Sequence, residues 1–207
     1  MKYLFKGKIK DFKNFTNGDL GLNKWYIYDE SIKERYDQVK KYSYVKTLEN
    51  LADSQKLKFD NTEIISWLDS QKIMLKVIKE LIMNSIDEID IIQEFHIPFT
   101  NKRADYLLVK DNKIIIIEFS YAKLNKKDYQ YQTKLNQVIN YKELLSNVIS
   151  KNIEIGTYTF IIHPEEEDKT SNLEEINNFI KYINYFFEDR KMSAIEELDK
   201  LPNPNKD

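Results

Sequence analysis

The sequence predicts an α/β chain, with an αβββαβ core whose mixed central sheet is flanked by helices, behind an N-terminal extension. Three observations point there. The isoleucines at 114–117 run without polar alternation, the pattern of a strand covered on both faces. A long helical pattern separates the third and fourth strand-like segments, which favours a crossover connection within one sheet. With four Gly and four Pro in 207 residues, the chain has little loop-forming material, so most of it should be regular.

The elements follow in order. Residues 1–29 mix short apolar-aromatic runs with a turn signal at Asn17-Gly18, and read as a small hairpin or irregular arm. Residues 30–52 carry Ile32, Tyr36, Val39 and Tyr42 or Tyr44 at helical spacing. A longer helix starts near Asn61 or Thr62, either of which can cap it, and places Ile64, Leu68, Leu75, Ile78 and Ile82 close to one stripe. Three extended segments follow, at 91–99, 104–110 and 113–120; Asp111-Asn112 suits a tight hairpin between the last two. A helix over 126–150, a strand over 156–163 and an aromatic amphipathic helix over 173–190 complete the chain. Phe179, Ile183, Phe186 and Phe187 read as core, and an exposed part of that stripe could serve as a homodimer or protein-partner face. The organisation expected is an extension over 1–60, a core over 61–190 and a frayed tail over 191–207.

Bulk properties exclude several classes. The formal net charge is −2, so a whole-molecule basic field is absent and any nucleic-acid contact must come from a local patch. There is no cysteine, which removes disulfides and thiolate metal sites, and two histidines make a structural zinc site improbable. The first 13 residues lack the apolar core of a signal peptide and no run approaches the ~20 apolar residues of a membrane span. The expected setting is a reducing cytoplasm, with no membrane partner. No Gly-rich phosphate loop occurs. Glu165–Glu167 and Asp168 read as a solvated loop, and His163 as a strand-end residue.

Two acids stand at strand ends. Asp105 opens the second strand of the meander and Glu118 ends the third, after four isoleucines; a strand this apolar rarely ends in an acid without a partner. As antiparallel neighbours the two would lie toward one end of the hairpin, and period-2 alternation puts Glu118 and Ser120 on one face. Magnesium takes oxygen ligands, commonly one or two carboxylates with water and substrate phosphate, so such a pair can hold it. On the following helix Gln130, Lys134, Gln137 and Tyr141 share one face at i, i+4, i+7 and i+11.

This order of elements and acids, over about 62–163, resembles the PD-(D/E)XK nuclease superfamily. "RAD" at 103–105 stands at the PD position with Ala104 in place of proline, and "EFS" at 118–120 stands where E-x-K is expected. "QVINY" supplies Gln137 and Tyr141, which look like the Q-x-x-x-Y motif of the RecB-like branch. The resemblance implies a restriction-endonuclease-like core and hydrolysis of phosphodiester bonds in nucleic acid, DNA ahead of RNA. It implies Asp105 and Glu118 as ligands of Mg2+ or Mn2+, with Gln137 and Tyr141 positioning the strand or the lysine. Glu63, at the N-terminus of the long helix, stands where family members often carry an extra acid; it also suits the helix dipole. Arg103, Ser120, Lys123 and Gln130 are the candidate substrate-binding side chains.

Ser120 is the departure from the pattern, and three readings of it stay open. The lysine has migrated, to Lys134 on the helix or to Lys123 in the loop; metal-bound water reacts without a lysine, more slowly; or the site is inactive and the chain is a nucleic-acid- or protein-binding subunit. Glu94 and His96 on the first strand could face the site, and a partly exposed strand face explains them equally.

Overall fold

The computed structural model describes residues 1–28, 30–122, 127–165, 172–188 and 194–199, with helical positions 127–129, 194, 196 and 197 as backbone only. Five strands form one mixed sheet in the order β1-β2-β3-β4-β5. They are β1 (Phe5–Lys8), β2 (Asp90–His96), β3 (Arg103–Lys110), β4 (Lys113–Tyr121) and β5 (Glu154–Ile162). The first four are antiparallel to their neighbours and β5 is parallel to β4, across the helix α5 (Lys127–Ser146). The crossover expected from the helix between the third and fourth extended segments is therefore present. Asp111 adopts a left-handed φ of 52° in the two-residue turn that closes the Lys110–Lys113 pair.

Both faces of the sheet are covered. On one, α4 (Asn61–Met83) and α6 (Leu173–Phe187) pack on Ile91, Tyr106, Leu108, Ile115, Ile117 and Phe160. On the other, α5 brings Val138, Tyr141 and Leu145 against Ile92, Leu107, Ile116 and Ile155. Phe179, Ile183, Phe186 and Phe187 of α6 are all core, as their spacing predicts.

Residues 1–29 differ from the small hairpin or irregular arm expected of them. Their first strand, β1, is an edge strand of the main sheet, followed by α1 (Ile9–Phe15). The single helix expected over 30–52 is two, α2 (Ile32–Val39) and α3 (Ser43–Ser54). Val39, Tyr44, Val45, Leu48 and Leu57 of this segment form one core with Ile64, Ile65, Trp67 and Leu68 of α4. That added layer explains why α4 is buried well beyond its expected stripe, Asp69, Ser70, Gln71 and Lys72 included. Its cap is neither Asn61 nor Thr62 but Asp60, whose carboxylate accepts the Glu63 N–H at 3.0 Å while Glu63 accepts the Asp60 N–H at 3.1 Å.

Two buried ion pairs sew these layers together. Asp69 accepts from Arg35 of α2 (Nη1–Oδ2 2.8 Å), from the Trp25 indole at 2.9 Å and from the Tyr121 hydroxyl at 2.7 Å. Lys72 pairs with Glu165, which is 5% exposed. Glu165 is thus a buried partner rather than part of a solvated loop; 166–168 lie outside the described residues. His163 follows directly on β5, which ends at Ile162 rather than at 163, and is bound through its backbone to the Asn172 amide.

The sheet is kinked at one place. Strict alternation would put Gln93 and Phe95 on one face, and Tyr106 and Ala104 on one face. Instead Gln93 bonds Gln71 of α4 at 2.9 Å while Phe95 joins the α5 side, and Tyr106 and Ala104 divide likewise. The slip sits at Glu94, whose φ of +55° is rare for a residue with a side chain. Glu94 stands opposite Asp105.

Candidate active site

At this kink β3 and β4 part. Their pairing runs to Tyr106–Ile117, and beyond it the side chains of Asp105 and Glu118 take over the amides. The Asp105 N–H donates to Glu118 Oε1 at 3.0 Å, and the Phe119 N–H donates to Asp105 Oδ2 at 2.7 Å. The two acids expected to be neighbours are therefore locked together, each held by the backbone of the other's strand. Glu118, on the α5 side of β4, is fully buried.

Lys134 projects from α5 onto this pair, with Nζ 3.1 Å from Glu118 Oε2. Gln130, Thr133, Lys134, Gln137 and Tyr141 line the same cleft of about 580 Å3, so the face drawn from the sequence exists. Gln137 donates to the Tyr141 hydroxyl, and Tyr141 is otherwise core. Ser120, a short neutral side chain, lines the cleft on the same face as Glu118, and the lysine among the described lining residues is Lys134 of α5. Lys123 lies outside the described residues.

The opposite wall comes from α4 and β2. Glu63 stands at the helix start and pairs with Arg103, whose Nε is 3.0 Å from Glu94 Oε2. Arg103 is thereby clamped between two carboxylates at the cleft. Glu94 is 6% exposed and faces the site, whereas His96 is not among the lining residues. Thr62, Ser66, Trp67 and Ser70 complete that wall. From the sequence Thr62 reads only as a possible helix cap and the other three do not read as site residues, although Thr62, Ser66 and Ser70 stand at i, i+4 and i+8 on one helix face.

Burial sets the electrostatics. It pushes Glu118 well above the carboxylate range, with the Asp105 charge adding to it and Lys134 opposing. Asp105 is raised by burial against the pull of Lys134 and the Phe119 amide. Glu94 is pushed to about 8 by burial and then by Asp105, with Arg103 working the other way. For Lys134 burial is the largest influence and lowers its value, but Asp105 and Glu118 together outweigh it and hold it at about 12. Burial raises Tyr141 to about 12. The cleft thus holds carboxylates that crowd one another and one ammonium that stays charged.

Among the described residues no group of three or more His, Cys, Asp and Glu side chains could hold a metal ion. Asp105 and Glu118 are carboxylates, the donor type a hard cation takes, and their oxygens already accept from the Phe119 and Asp105 amides and from the Lys134 ammonium. No helix among the described residues is long and apolar enough to cross a membrane. The chain matches no family model, no curated protein and no solved structure. What the fold defines is an α/β chain with a carboxylate-lined cleft at a kink in its sheet, and the chemistry of that cleft carries the functional argument.

Proposed function

We propose that this chain is a divalent-metal-dependent nuclease of the PD-(D/E)XK type, hydrolysing phosphodiester bonds of nucleic acid, DNA ahead of RNA. The observation that carries the reading is the Lys134–Glu118–Asp105 cluster, in which an ammonium from the helix stands over the two acids where Ser120 leaves the strand without one. Of the sequence's alternatives for Ser120, this favours migration of the lysine.

Asp105 and Glu118 would hold Mg2+ or Mn2+, which when bound supplies an activated water and stabilises charge on the phosphate. The chain's own residues do the rest. Lys134, charged at any physiological pH, offsets the paired carboxylates and is placed to hydrogen-bond an attacking water or a phosphoryl oxygen. Gln130 and Gln137 present amides along the α5 wall for the nucleic-acid strand, and Tyr141 fixes the orientation of Gln137. Arg103 offers a guanidinium to phosphate from the opposite wall, with Glu63 and Glu94 holding it in place.

A second reading, a catalytically silent nucleic-acid- or protein-binding subunit, is favoured by one observation. The amides of Phe119 and Asp105 and the Lys134 ammonium already satisfy both acids without a cation. One experiment separates the two: cleavage of labelled single- and double-stranded DNA and RNA with Mg2+ or Mn2+, beside Asp105→Ala and Glu118→Ala. Cutting by the wild type that both variants lose is the expected result. A wild type that neither cuts nor takes up divalent ions in titration calorimetry sinks the enzyme reading.

A further inference from the structure

The β2–β3 turn carries a side chain that the fold has no use for. Phe99 is 95% exposed, more than any other large apolar residue described, and its φ is +63°, a region a bulky side chain occupies only under strain. A single exposed apolar residue on a surface is ordinary. One that is strained as well, where glycine would sit without cost, is not.

The turn around it is fixed rather than loose. The Ile97 N–H donates to the Lys102 carbonyl at 2.9 Å, the Thr100 hydroxyl to the Ile97 carbonyl at 2.9 Å, and the Lys102 N–H to the Thr100 hydroxyl at 3.1 Å. The ring is thus held out from a rigid base. That base is the rim of the cleft: Asn101 and Arg103, two and four residues on, line it, and Lys102 between them is exposed. Arg103 opens β3 two residues before Asp105, roughly 7 Å along the strand, so the turn borders the acids' end of the cleft.

We infer that Phe99 is a base-stacking residue, which selects nucleic acid with unpaired bases beside the phosphate held at Asp105 and Glu118. The inference rests on the nuclease reading and names its substrate class: single strands, or duplex ends and flaps with a single-stranded stretch. An aromatic ring stacks on any base, and Lys102 and Arg103 beside it supply the cations that track a backbone. A base inside a duplex offers no free face to such a ring, so the contact is lost on blunt, fully paired DNA.

The test compares Phe99→Ala, Phe99→Leu and Phe99→Trp on a single-stranded oligonucleotide and on a blunt duplex of the same sequence. Phe99→Ala and Phe99→Leu are expected to raise KM on the single strand about tenfold with kcat unchanged, and to leave the duplex alone. Phe99→Trp keeps the wild-type KM, and its indole emission is quenched when the oligonucleotide binds. Equal KM values across the series overturn the inference while wild-type cleavage keeps the nuclease reading. Loss of self-association in Phe99→Ala, with oligonucleotide binding intact, also overturns it and makes the turn a contact between copies. A wild type that neither cuts nor binds nucleic acid ends both.

Discussion

At the scale of single residues, the decisive question is whether Lys134 does the work that a lysine at 120 would do. Lys134→Ala removes the ammonium 3.1 Å from Glu118 and leaves the buried carboxylates without their counter-charge. We expect kcat to fall about 10^2- to 10^3-fold, the usual loss for one positioned electrostatic donor. The rate should also rise at higher pH than in the wild type, because Glu118 then ionises against an unopposed Asp105. Ser120→Lys added to Lys134→Ala should recover part of that loss, since position 120 lines the same cleft on the face of Glu118. If the double variant is as slow as Lys134→Ala and its pH profile is unmoved, Lys134 has a different role. Asp105 and Glu118 were legible in the sequence because antiparallel pairing sets them toward one end of the hairpin; helix spacing put Lys134 on one face with Gln137 and Tyr141, and the resemblance directed that face to the acids. Glu94 reads only as one of two strand residues that could face the site, and Phe99 does not stand out at all, since what makes them unusual is a left-handed backbone that neither residue type announces.

At the scale of elements, four of the five strands and the three long helices were readable, β4 from its unbroken isoleucines and α4 and α6 from apolar stripes at helical spacing. The N-terminal layer was not. Its edge strand β1 is only four residues long, Phe5–Lys8, and the break between α2 and α3 falls at "KKY" with neither glycine nor proline to mark it. What joins that layer to the core is a buried pair that no periodicity shows, Arg35 with Asp69, 3% and 0% exposed. Arg35→Ala leaves the Asp69 carboxylate buried with only the Trp25 and Tyr121 donors, and should cost about 3–5 kcal/mol in urea unfolding. Arg35→Met with Asp69→Leu removes both charges and should recover most of that loss. Tyr121 couples the two regions: its hydroxyl bonds Asp69 while the residue lines the cleft. Arg35→Ala should therefore also loosen the cleft wall, seen as faster amide exchange at 119–121 than at 106–108. A double variant no more stable than Arg35→Ala would show that the Trp25 and Tyr121 bonds to Asp69 are needed as well, and an Arg35→Ala as stable as the wild type would show that the layer is held by its apolar contacts alone.

At the scale of the whole molecule, the fold buries a set of carboxyl groups whose ionisation costs it stability. Glu94 has a folded value of about 8 against an ordinary 4.5, and Asp105 and Glu118 are shifted in the same direction by burial. A carboxyl raised in this way adds stability that is fully present below its unfolded value and is lost as pH rises through its folded one. The metal-free protein should therefore lose Tm between pH 5 and pH 8, and Glu94→Gln, which cannot ionise, should lose less. On the proposed reading a divalent ion would act oppositely, because it would bind the ionised folded form. At a hundredfold excess over its Kd, Mg2+ should add about 2.7 kcal/mol. For a chain of this size that raises Tm by roughly 5–10 °C, more at pH 8 than at pH 5, where protons compete for the same oxygens. Asp105→Asn should abolish the Mg2+ effect while leaving a folded protein whose own Tm at pH 8 is no lower than the metal-free wild type, since one member of the repelling set is gone. Differential scanning calorimetry at the two pH values, with and without Mg2+, gives all of these quantities. A wild-type Tm indifferent to Mg2+ at pH 8 would mean that Lys134 and the two backbone amides already meet the needs of the acids, and that the cluster is kept for binding rather than for cutting.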